Sequence, residues 1–85
     1  MTRTIIDVRE PIEFRAGNVK GAINIPPRKL LAGAGELNDI PKDAELIVYC
    51  RTGNRSAASI NILKTLGYNN VINGINKDRV EAEYL

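Results

Sequence analysis

Residues 46–50, "LIVYC", form an uninterrupted apolar run of five, bounded by the turn "IPKDAE" before it and by Arg51 after it. A strand with polar residues on neither face must be covered on both faces, so this one belongs at the centre of a parallel sheet with helices on either side. The rest of the chain supplies that cover. "RTIIDV" (3–8) reads as a second buried strand, and Pro11 opens a helix through "PIEFRAG", where its missing N–H costs nothing. "GAINIPP" (21–27) reads as a short strand stopped by its prolines. "RKLLAGAGEL" (28–37) reads as a helix weakened by Gly33 and Gly35.

From Arg55 the apolar spacing turns helical, with Ala58, Ile62 and Leu66 on one ridge and Ala57, Ile60 and Leu63 on its neighbour. Gly67 is placed to close that helix in a left-handed conformation. "NVIN" (70–73) predicts a last short strand, and "KDRVEAEYL" (77–85) a final helix with Val80 and Tyr84 on one side. This β-α alternation predicts an α/β fold: a small open parallel sheet of about four strands with helices on both faces, formed by one domain over residues 1–85.

The functional possibilities narrow through what is missing. The 85 residues contain no histidine and one cysteine, Cys50. Internal disulfides, Ser-His and Cys-His nucleophile pairs and most zinc sites are thereby removed, and no metal or cofactor is expected. The net charge of +2 and the scarcity of aromatic residues argue against a nucleic-acid surface. There is no apolar run long enough to span a membrane and no signal-like N-terminal segment. A cytoplasmic location is expected, or a periplasmic one if a leader has been removed.

Cys50 ends the central strand, and the next helix begins about five residues later. Ligands of open α/β sheets bind outside the carboxyl ends of the strands, towards the helix N-termini. Between them lies the loop Arg51, Thr52, Gly53, Asn54, leading into Arg55. Gly53 lets the backbone curl its N–H groups inward, and the helix end adds a partial positive charge. With Arg51 and Arg55 flanking, all three effects favour the thiolate over the thiol. A cation in the first turn of a helix opposes the helix dipole, which predicts that Arg55 faces an anion. Such a thiolate can take a sulfane sulfur from a small anionic donor such as thiosulfate, giving a persulfide whose terminal sulfur the loop amides would hold. A thiol or cyanide acceptor then removes it.

Two segments of the chain resemble the rhodanese family of sulfurtransferases. "DVREPIEFRAGNVKGAINIP" (7–26) is similar to its N-terminal signature, and "VYCRTGNRSAASINILKTLGYNNV" (48–71) to its catalytic strand, active-site loop and helix. The resemblance implies a short, single-domain version or an excised domain, with Cys50 as catalytic nucleophile. It implies Arg51, Thr52, Gly53, Asn54 and Arg55 as the substrate-binding loop, and Asp7 to Arg9 nearby. Asn18 stands where the family usually has histidine, at a position that looks structural. "NGINKDRV" (73–80) replaces the family's usual Gly-Gly-x-x-x-Trp, which alters the pocket rim.

Two other readings use the same residues. A relay module would receive its persulfide from a protein sulfur donor rather than from a small molecule. Thiolate phosphatases and arsenate reductases also combine Cys, amides and Arg, but with a longer spacer than the four residues between Cys50 and Arg55.

Overall fold

The structure, a computed structural model, describes residues 3–85; Met1 and Thr2 of the predicted domain lie outside the described residues. The elements run β1 (Arg3–Asp7), α1 (Pro11–Ala16), β2 (Ile23–Asn24), α2 (Pro27–Leu31), β3 (Glu45–Cys50), α3 (Asn54–Thr65), β4 (Val71–Asn76) and α4 (Lys77–Tyr84), with a 3-10 turn at Gly35–Leu37. The four strands make one sheet in the order β2-β1-β3-β4, and every pairing is parallel. The expected α/β architecture is present.

The period-two alternation of the central strands sorts their side chains into two cores. Ile6, Val8, Leu46, Val48 and Cys50 face one side, packed with Leu30 of α2, Leu37, and Ile60 and Leu63 of α3. Ile5, Ile47 and Tyr49 face the other, against Val19 and Val80 of α4. The apolar run 46–50 is buried from end to end.

The differences from the sequence reading have local causes. The predicted helix 28–37 stops at Leu31, because Gly33 and Ala34 both take left-handed backbone angles and the chain resumes only as a 3-10 turn. The short strand expected within 21–27 is present as β2, two residues long and ending before the prolines. α3 begins at Asn54, and its buried side is Ser56, Ser59, Ile60 and Leu63, while Ala57 and Ala58 are exposed. β4 runs on to Asn76, beyond the strand expected over 70–73, because a bulge opposite Val48 and Tyr49 absorbs Gly74 as an extra residue. Only glycine fits there: a β-carbon would lie 2.5 Å from Val80 Cγ2 and 3.0 Å from Ile47 Cγ2. The next residue, Ile75, sits at φ 75°, a left-handed conformation that is rare and costly for a β-branched side chain.

This sheet order fixes the site. From β1 the chain crosses to β2 on one side, and from β3 to β4 on the other, so a crevice opens between the carboxyl ends of β1 and β3. Asp7 and Cys50 end those two strands.

Candidate active site

Cys50 is 2% exposed, and its sulfur is held by the loop that follows it. Gly53, at φ 95°, turns its N–H onto Sγ at 3.1 Å, a backbone angle that glycine adopts without strain. The Ser56 N–H points at Sγ from 3.4 Å, and Ser56 Oγ lies 3.5 Å away. Burial pushes the thiol up. The Ser56 hydroxyl and the N–H groups of Ser56, Thr52 and Gly53 pull it down further, to about 7 from an ordinary 9.0. Alkylation of Cys50 by iodoacetamide should therefore rise through a midpoint near pH 7 and fall away in more acidic solution, as the thiolate is protonated. A midpoint near 9 would mean that the amides do not act on the sulfur.

The arginines play a different part from the one their charges predict. Arg55 does face an anion, and that anion is Glu13 of α1: Nη1 and Nη2 reach its two carboxylate oxygens at 2.8 and 3.2 Å. Arg55 first, and then the Glu10 N–H that also donates to Glu13, hold that carboxyl down at about 2. Arg51 approaches the same carboxylate at 3.9 Å and is otherwise exposed. The acidity of Cys50 thus rests first on peptide and hydroxyl donors; Arg55 ties the loop to α1 and adds a smaller charge attraction to the sulfur. Thr52 and Asn54 are exposed on the loop's outer side, Thr52 contributing its backbone N–H.

Above the thiol lies an open cleft of about 210 Å³ lined by Arg9, Cys50, Arg51, Asn76, Lys77 and Asp78. Three of these side chains are cationic and one is acidic. Arg9 is already engaged, forking onto buried Asp7 at 2.7–3.0 Å and donating to Gly17 O. Arg51 and Lys77 remain reachable, Lys77 also touching Glu81 one helical turn on. Asp7 has no free oxygen for a substrate: both are taken by Arg9 and by the Tyr49 hydroxyl. It is a loop-holding carboxylate. Asn18, where the family has histidine, closes α1 by donating to Phe14 O.

Ser56, Glu13 and Lys77 escaped the sequence reading. Ser56 could have been found as the residue whose N–H falls in the first turn of α3. Glu13 and Lys77 carry no local signal, since only the tertiary fold brings them to residue 50. Among the described residues, no group of His, Cys, Asp and Glu is arranged to hold a metal ion, and no helix is long and apolar enough to cross a membrane.

A parallel sheet with an amide-cradled cysteine at its switch point defines a small thiol-bearing α/β domain. Residues 1–75 match the Rhodanese-like domain family, and the chain belongs to that family of sulfurtransferases. It is 36% identical over 72 residues to the thiosulfate sulfurtransferase PspE of Escherichia coli, covering 80% of this chain and 64% of that protein. It is 32% identical over 69 residues to a sulfurtransferase of Allochromatium vinosum, covering 81% of this chain and 62% of that one. The chain thus spans less than two thirds of the length of both relatives. A solved structure described as rhodanese with anions from E. coli superposes with a TM-score of 0.80 at 30% identity, covering 92% of this chain and 91% of the other.

Proposed function

We propose that this chain moves a sulfane sulfur from a small anionic donor, thiosulfate being the simplest, to a thiophilic acceptor through a persulfide on Cys50. In the first half-reaction the Cys50 thiolate attacks the outer sulfur of thiosulfate. The donor's S–S bond breaks, and sulfite leaves with the bonding pair. The persulfide's terminal sulfur, carrying the negative charge, occupies the cleft. In the second half-reaction cyanide or a thiolate attacks that sulfur, leaves as thiocyanate or as a new persulfide, and returns the Cys50 thiolate. Neither half needs a general base, which suits a chain without histidine.

The observation that carries this reading is the 3.1 Å approach of the Gly53 N–H to a sulfur that borders an open cleft with reachable Arg51 and Lys77. The same geometry disfavours phosphatase chemistry. An oxyanion mechanism needs its arginine free to grip the substrate, and Arg55 is forked onto Glu13.

The direct test is intact-mass measurement after incubation with thiosulfate and removal of the excess. A gain of about 32 Da, one sulfur, that disappears on adding cyanide with release of thiocyanate is the expected result. An unchanged mass, or release of phosphate from an aryl phosphate without any thiocyanate, would overturn the proposal.

A further inference from the structure

We infer that Asn73, on the neighbouring strand β4, is a positioning residue for the Cys50 thiol, acting through Ser56 and Gly53. The inference rests on the sulfur-transfer reading for its catalytic meaning, and on hydrogen-bond geometry for everything else.

Asn73 never touches the sulfur. Its Oδ1 accepts the Ser56 hydroxyl at 2.7 Å and the Ile75 N–H at 3.0 Å, and its Nδ2 donates to Gly53 O at 3.2 Å. The Ile75 N–H can only donate, so it fixes which end of the amide is oxygen and leaves Nδ2 for the Gly53 carbonyl. Ser56 and Gly53 bring their N–H groups onto Sγ at 3.4 and 3.1 Å, beside the N–H of Thr52. One amide therefore grips two of the residues that hold the sulfur, from an element that the loop does not otherwise belong to.

The backbone around Asn73 is shaped for that grip. Ile75 is held at φ 75° with its N–H turned back onto Asn73 Oδ1, and its side chain comes to rest against Gly53, where Cγ2 would lie 3.4 Å from an added β-carbon. Strained backbone of this kind persists only where surrounding contacts over-determine it. Here they are the amide bond, the bulge at Gly74 and the packing on Gly53. The polar side of the strut has no slack either: Ser56 Oγ contacts Asn73, Gly53 O and Sγ together. Freed of Asn73, the loop loses one bond to its central carbonyl and one to its serine, and the two N–H donors lose their aim.

The experiment compares the full chain with Asn73→Ala, Asn73→Thr, Ser56→Ala and the Asn73→Ala/Ser56→Ala double variant. Threonine keeps a strand-forming side chain should alanine fold poorly. For each, the pH midpoint of Cys50 alkylation is measured alongside the melting temperature and the rate of persulfide loading from thiosulfate at pH 7. Each single variant is expected to raise the midpoint by about half a unit to one unit, as the Gly53 and Ser56 N–H groups lose their alignment on the thiolate. In the Asn73 variants the freed Ser56 hydroxyl proton passes to Gly53 O, 3.1 Å away. Loading at pH 7 should slow by about two- to five-fold, following the lost thiolate fraction. The double variant should shift less than the sum of the singles, because Asn73 acts partly through Ser56.

A lowered melting temperature with an unmoved midpoint would reduce Asn73 to a strand stabiliser and overturn the inference, as would strictly additive shifts. If the parent protein takes up no sulfur while these midpoints still move, the sulfur-transfer reading fails and the assignment of Asn73 to the thiol stands.

Discussion

Replacing Cys50 by serine should abolish the thiosulfate-dependent mass gain and reduce thiocyanate formation to the uncatalysed background, while the protein stays folded. The two halves of that expectation have separate causes. Serine keeps the size of the side chain, and the Gly53 and Ser56 N–H groups that now point at Sγ can point as well at an oxygen. The core around residue 50 loses one weakly polar atom among a dozen buried side chains, so the melting temperature should move by only a few degrees, corresponding to about 1 kcal/mol or less. The chemistry has no such tolerance. An alkoxide at neutral pH is scarce, and no histidine is present to make one. Oxygen in that position cannot form a persulfide at all. Circular dichroism and a thiocyanate assay on the same sample decide the matter: retained turnover in the serine variant would remove Cys50 from the reaction.

The second large effect concerns stability. Asp7 is wholly buried at the end of β1, and its carboxylate holds the Arg9 guanidinium, the Arg9 N–H and the Tyr49 hydroxyl. Tyr49 in turn accepts the Val19 N–H, and its own ionisation is pushed up to about 12, by burial first and by Asp7 also. Asp7→Ala leaves a largely enclosed guanidinium with only Gly17 O and the Tyr49 face for company. Removing one member of a buried charged pair costs about 3–5 kcal/mol, a large share of the about 5–15 kcal/mol that holds a small domain together. Urea unfolding should show a midpoint falling steeply. Asp7→Asn, which keeps the shape and one acceptor, should lose distinctly less. Equal small losses in both variants would mean that solvent reaches this cluster and carries its charge.

The central features could be read from the chain because they are local or nearly so. A five-residue apolar run forces a doubly covered strand, and a cysteine followed by a glycine-containing polar loop and a helix forces inward-facing amides. The parallel sheet follows from the alternation. What could not be read depended on pairs distant in sequence. The anion facing Arg55 is 42 residues upstream, and Asn73 lies 17 residues beyond the serine that it holds. The strand over 70–73 is legible, but its continuation to Asn76 and the bulge that sets Asn73 beside the loop show only in the sheet register. The charge of Arg55 is likewise visible locally, but that Glu13 shares it with Cys50 shows only in the tertiary fold.

The bulge in β4 also ties the loop after β3 to an edge of the sheet. Asn73 holds Gly53 O and Ser56 Oγ, and Ile75 packs on Gly53, so the cradle is complete only while β4 is paired with β3. Among the described residues, β4 has a neighbour on one side alone. Fraying of that border strand therefore loosens the grip on the sulfur while the inner strands stay paired.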